Sequence, residues 1–183
     1  MVLLSVNVYR GKLIESKHQV ISSIKNIKKN VIMSTNNENE IVFPRSSIKI
    51  FQALPFIISN AHIKYKLNEK NIAIACSSHR GETQHLNVLN KWINKTNIQI
   101  VDLKCGIHNP IDLSSSNNLL LSGKTPTQLH NNCAGKHLGM ISGCLAYNMS
   151  YDNYVGFDHP YQKLIRKSLE IFMGSKIKKK YFS

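Results

Sequence analysis

Arginine is scarce in this chain: 4 of 183 residues, against 20 lysines, 22 isoleucines and 20 asparagines. Acidic residues number only 10, which leaves a formal charge of +14. Phosphate and base readout favours the planar, bidentate fork of arginine. A lysine surplus almost without arginine therefore reads as solvated surface, and no nucleic-acid partner is expected. Coding bias toward A and T would raise Lys, Ile and Asn together. The lysines are also scattered, apart from Lys25, Lys28 and Lys29 and the terminal Lys176, Lys178, Lys179 and Lys180.

Other shortages exclude whole classes. With 9 Gly and 5 Pro the chain is neither collagen-like nor of low complexity, and a hydrophobic content of 42% excludes disorder. No apolar run approaches the ~20 residues of a membrane span. Met1 to Val8 carries no basic region before it and no small-residue cleavage site after it, so the expected location is the cytoplasm. The four cysteines (Cys76, Cys105, Cys133, Cys144) form no Cys-x-x-Cys pair and read as reduced thiols, metal ligands or small buried groups.

Patterning divides the chain. Val2, Leu4, Val6 and Val8 alternate as in a strand, Arg10-Gly11-Lys12 marks a turn, and 13 to 24 reads as a second strand. Val31 to Ser34 and Ile41 to Phe43 flank a polar loop and suggest a hairpin, completing a meander of about four strands. Ser46 to Ile58 reads as a helix, with a kink or early end expected at Pro55 because proline cannot donate back to Phe51. Ile72 to Ala75 and Ile98 to Leu103 are short apolar runs that fit strands or buried segments. Leu86, Leu89, Trp92 and Ile93 form a helical stripe. Ile107 to Thr127 reads as a long loop, and His137 to Asn148 as a helix. A last helix starts at Asp158, carries Pro160 in its first turn and stops at Gly174. Residues 175–183 are a patternless basic tail.

Three segments concentrate chemistry. In Phe43-Pro44-Arg45-Ser46-Ser47-Ile48-Lys49, positions three apart share a helix face, so Lys49 can meet Ser46 but not Ser47. A serine hydroxyl becomes a nucleophile when a base takes its proton, and lysine serves once burial lowers its pKa. The plainer reading is a capping serine beside an exposed lysine. Cys76-Ser77-Ser78-His79-Arg80-Gly81-Glu82 gathers hydroxyls, an imidazole and a carboxylate after an apolar run, as cleft-facing loops do. A turn capped by Thr83 is the alternative. Asn132-Cys133-Ala134-Gly135-Lys136-His137 sets a thiol, an amine and an imidazole at a helix entry, where a thiolate is stabilised. A buried cysteine in a capping region would look the same. Ser122-Gly123-Lys124-Thr125 is not a phosphate loop, because Asn118 stands where its first glycine would fall.

Taken in order, these blocks resemble the asparaginase II family of the Rhizobium etli type. Tyr9-Arg10-Gly11 with Glu15 to His18, and Asp158-His159-Pro160 with Gln162, complete the likeness. The resemblance implies an α+β fold like that of the serine β-lactamases and penicillin-binding proteins, an αβα arrangement around an antiparallel sheet. It implies hydrolysis of the side-chain amide of L-asparagine to aspartate and ammonia. Ser46 is then the nucleophile, Lys49 its base, and Ser78 the hydroxyl of a second Ser-Lys pair. Arg45, His79, Glu82 and His137 are assigned to the substrate, and Cys133 and Lys136 to a zinc ion.

The likeness has departures. Family members are nearly twice this length, and the lysine partner of the second serine and the third metal ligand, a cysteine, fall beyond residue 183. Residues 1–174 thus read as the N-terminal portion of one such domain, of uncertain activity alone. The alternatives are an inactive fragment or half of a split enzyme, and the partners expected are a homodimeric copy or a complementing C-terminal chain. Arg80 stands where the family has a small residue, and Asn60 where it has glycine. A penicillin-recognising hydrolase is the rival on the same Ser-x-x-Lys, but the Ser-Asp-Asn and Lys-Thr-Gly signatures are missing from the sequence.

Overall fold

The computed structural model describes residues 4–35 and 40–177. The chain divides into two compact units, residues 1–43 and 44–183. Together they give a mixed, α+β composition, with the described strands in the first unit and the helices in the second.

In the first unit, β1 (Leu4–Arg10) pairs antiparallel with β2 (Leu13–Val20). Gly11 makes the connection possible, since its φ of +61° is a conformation that a side chain disfavours. Arg10 and Glu15 form an ion pair across that turn. A second hairpin joins β3 (Ser23–Lys25) to β4 (Val31–Ser34). These are two separate two-stranded sheets, not one meander. The expected strand over 13–24 breaks after Val20, and β4 pairs back to β3, so residues 41–43 do not form a strand. Local turn chemistry explains the choice. The Asn26 side chain accepts from the Asn30 N–H at 2.9 Å and closes a shorter loop than the polar stretch after Thr35 would. Part of that polar stretch, residues 36–39, lies outside the described residues, as do 178–183 of the basic tail.

The second unit is built around one helix. A 3-10 turn (Arg45–Ile48) leads into α1 (Lys49–Ile58), followed by α2 (Ala61–Lys64), α3 (Glu69–Cys76), α4 (Thr83–Thr96), α5 (Leu113–Leu121), α6 (Ala134–Ala146) and α7 (Pro160–Met173). From Ala134 to Cys144 every residue of α6 is buried except Lys136, and α1, α3 and α4 pack against it. A helix apolar on all sides belongs at the centre of a core. Trp92 of α4 is fully buried there, and its indole N–H donates to Ser142 of α6 at 3.0 Å.

Several expectations change on contact with the structure. Pro55 does not end α1, which runs on to Ile58 with Pro55 buried inside it. Ile72 to Ala75 lies in α3, where Asn68 caps the first turn and Asn71 returns a bond to the Asn68 N–H at 3.0 Å. The Ile98 to Leu103 run is a short 3-10 turn with Ile98 and Leu103 buried at its ends. The long 107–127 stretch contains α5, started by Asp112, whose carboxylate accepts from the Ser115 N–H at 2.8 Å. Its Ser and Asn content has poor helix propensity, which hid it from periodicity. The last helix is capped by His159, not Asp158: its Nδ1 accepts from the Tyr161 N–H. Gly174, at φ +66°, ends it as expected. Asn60 adopts a left-handed φ of 56°, a conformation that asparagine tolerates better than most residues other than glycine.

Candidate active site

Helix packing assembles the site. A side chain on Gly135 would lie 2.7 Å from the Ile74 carbonyl carbon, so glycine is needed for α3 and α6 to meet backbone to backbone. That contact sets the C-terminal end of α3, with Ser77 and Ser78 just beyond it, beside the entry of α6, where Cys133 is the capping residue. Lys49, the first residue of α1, reaches into the junction. Its Nζ donates to the Ser78 hydroxyl at 2.7 Å, to the Ser77 carbonyl at 2.8 Å and to the Asn132 carbonyl at 3.2 Å.

Only 3% of Lys49 is exposed. Burial holds its pKa below the ordinary lysine value, with Lys136 acting in the same direction and the neighbouring Cys133 thiol opposing both. A cleft of about 320 Å³ opens over this amine, lined by Arg45, Ser46, Ile48, Lys49, Gln52, Cys133 and Lys136. Ser46 and Lys49 therefore share the cleft, as their spacing requires, but the hydrogen bond of the lysine goes to Ser78. Arg45, immediately before Ser46, has φ 47°, a strained value for a residue with a side chain.

The remaining candidates lie farther out. His79 is 3% exposed and is absent from the cleft lining. Its Nδ1 accepts from the Gly81 N–H at 3.2 Å, and its ring packs on His85 with centroids 5.4 Å apart. Burial, reinforced by His85, Lys49 and His108, lowers its pKa to about 4, while the Asn131 backbone carbonyl opposes the shift. Glu82 is half-buried at the cap position of α4 and accepts from the Gln84 amide at 2.8 Å. Arg80 turns toward Asp112: their side chains approach to 3.8 Å, and the Asp112 N–H donates to the Arg80 carbonyl at 2.9 Å.

His137 is tied into the core. The Tyr154 hydroxyl accepts from the Lys104 N–H at 2.9 Å and shares a hydrogen bond with His137 Nδ1 at 2.5 Å. Burial pushes the His137 pKa down to about 3. Cys105 and Cys144 are held as thiols, pushed up to about 11 and about 12 by the same desolvation.

Cys133 and Lys136 stand three apart at the start of α6 and both line the cleft. A thiolate and a neutral amine suit two corners of a tetrahedral zinc site. No cluster of three His, Cys, Asp or Glu side chains able to hold a metal occurs among the described residues. Cys133 and Lys136 supply two of the four donors that a tetrahedral zinc site takes.

The sequence matches the family model described as L-asparaginase II over residues 6–182. The chain belongs to the L-asparaginase II family. No curated protein matches it.

In this L-asparaginase II chain, some of the residues that shape the cleft carry no sequence signal of their own. Asn131 is 7% exposed; its amide donates to the Cys105 carbonyl at 2.7 Å and its Oδ1 accepts from the Cys133 N–H at 2.9 Å. The Asn132 peptide receives Lys49 on its carbonyl and offers its N–H to His108 Nε2 at 3.2 Å. Backbone acceptors leave no trace in residue type. Gln52 could have been found, since Ser46, Lys49 and Gln52 repeat at three-residue steps.

Proposed function

We propose that this chain is an L-asparagine amidohydrolase of the Rhizobium etli type, working through Ser46, Lys49 and Ser78. The observation that carries the reading is the buried Lys49 amine, bonded to Ser78 at 2.7 Å in the cleft that also holds Ser46. Family membership supplies the class of substrate, an amide.

In the proposed chemistry Lys49 reacts as the neutral amine, which keeps two of its three N–H donations and turns its lone pair to a hydroxyl. It takes the Ser46 proton, directly or through the Ser78 hydroxyl, as Oγ attacks the side-chain carbonyl of asparagine. The tetrahedral intermediate collapses as the amide nitrogen accepts a proton and leaves as ammonia, giving an aspartyl ester on Ser46. Water, deprotonated by the same amine, hydrolyses the ester to aspartate. The lowered pKa of Lys49 matters because only a neutral amine can accept a proton. The Arg45 guanidinium suits the substrate α-carboxylate. A Ser-x-x-Lys entering a helix also supports the serine β-lactamase-like arrangement as the fold of this family member. No helix among the described residues is long and apolar enough to cross a membrane.

The deciding experiment is ammonia release from L-asparagine by the purified chain, with Ser46→Ala as the control. Release that Ser46→Ala abolishes supports the reading. Release that survives in Ser46→Ala overturns the nucleophile, and no release by the parent chain overturns the assignment of activity to it.

A further inference from the structure

Gln52 is the one neutral polar side chain of the cleft without a role in the Ser-Lys chemistry. It lies on α1 one turn beyond Lys49, and the two line the same cavity with Arg45, Ser46, Cys133 and Lys136. Its carbonyl oxygen, Oε1, is buried and has no hydrogen-bond partner among the described residues. A buried acceptor left unpaired is costly, by an amount comparable with a lost hydrogen bond, and such a group is normally satisfied. Within the cleft every other polar lining group can donate: the Arg45 guanidinium, the Ser46 hydroxyl, the Lys49 and Lys136 amines and the Cys133 thiol. Gln52 has the opposite need, for an N–H.

We infer that Gln52 is a specificity-determining residue, whose Oε1 accepts from the carboxamide N–H of the substrate and so distinguishes amide from acid. The inference rests on the reading of this cleft as the asparagine site. The Arg45 guanidinium and the other donors of the cleft accommodate carboxylate and carbonyl oxygens, which asparagine and aspartate both present. The side-chain nitrogen is the one group by which the amide differs from the acid. An aspartate carboxylate brings only lone pairs to that position, so it leaves Oε1 unsatisfied and sets two acceptors against each other. A site that offers a buried hydrogen-bonding group rejects an analogue lacking the matching group far better than an apolar pocket does. The same contact therefore favours substrate over product after ammonia has left.

The test uses the full chain in a Ser46→Ala background, where binding is separated from turnover. Affinities for L-asparagine and L-aspartate are measured by titration calorimetry with and without Gln52→Met, a helix-compatible side chain of similar length. The expected result is a fivefold to tenfold weaker asparagine affinity, about the value of one hydrogen bond, with aspartate affinity changed less than twofold. Equal weakening of both ligands, or no change in either, overturns the specificity role while leaving the asparagine site standing. Absence of asparagine binding in Ser46→Ala itself overturns the reading of the cleft and the role of Gln52 with it. If Gln52→Met fails to fold, Gln52→Ala removes the same acceptor and gives the same comparison.

Discussion

The Ile74 carbonyl of α3 occupies the space that a side chain would need on Gly135 of α6. This approach brings the end of α3, and so Ser77 and Ser78, to the entry of α6, where Lys49 joins them. The atoms in the way, the Ile74 carbonyl and the Ala75 nitrogen, are helix backbone, which cannot move alone. Gly135→Ala is therefore expected to destabilise the chain by about 3 kcal/mol or more, at the upper end of overpacking effects. Urea unfolding checks the value. A loss under about 1 kcal/mol would mean that α3 and α6 can separate without cost, and would remove the packing argument for the site.

Lys49 combines a buried amine with three acceptors, two of them backbone carbonyls. Burial lowers its pKa because the charged form is the one that suffers from desolvation. Lys49→Met keeps the length and removes that burden while giving up the hydrogen bonds. Stability at pH 7 is expected to stay within about 1 kcal/mol of the parent, or to rise. Any asparaginase activity should fall by about 10³-fold or more, the scale for loss of a general base that acts with its nucleophile. Paired thermal melts and ammonia assays separate the two effects. A large stability loss with activity retained would show the lysine to be structural.

Much of this arrangement was legible in the residues, and the parts that were not have physical causes. The α4 stripe of Leu86, Leu89 and Trp92, and the first-turn Pro160 and terminal Gly174 of α7, follow from helical period and cap chemistry, which act locally. The Ser46–Lys49 spacing was readable for the same reason. The Lys49–Ser78 bond was not, because it spans 29 positions and depends on Gly135 admitting α3. The β3–β4 pairing was missed since an Asn26–Asn30 turn competes with a longer polar loop that looks equally turn-rich. The contact of His137 with the Tyr154 hydroxyl was likewise not readable, because it joins α6 to a residue 17 positions on.

His79 makes acid stability a direct report on burial. Its pKa is lowered from 6.5 to about 4, first by desolvation and then by His85, Lys49 and His108. The unfolded chain therefore binds a proton that the folded chain refuses over this interval. Stability supported by neutral His79 is complete above about pH 6.5 and is lost as pH falls toward 4, below which this group adds no further slope. The expected slope is about 1.4 kcal/mol per pH unit for this one histidine. His79→Gln retains an acceptor for the Gly81 N–H and cannot titrate. Urea unfolding at a series of pH values should show the slope between pH 6.5 and 4 reduced by about that amount in the variant. Parallel curves for the two proteins would contradict the burial of a neutral His79.

Trp92 and Ser142 offer a last test, of the core that carries the site. The indole N–H donates to the serine hydroxyl at 3.0 Å, both residues are fully buried, and the two tie α4 to α6. Ser142→Ala removes the acceptor and leaves the indole N–H with no partner in an apolar surround. The cost of such an orphaned group is about 1–3 kcal/mol, more than the net value of the bond itself. Trp92 is the single tryptophan of the chain, so its fluorescence reports on this position alone. Ser142→Ala should lower stability by that amount and shift the native emission to the blue, because the indole loses a polar neighbour without gaining water. A red shift would mean that solvent enters the core, and an unchanged midpoint in urea would show that the bond contributes nothing to holding α4 on α6.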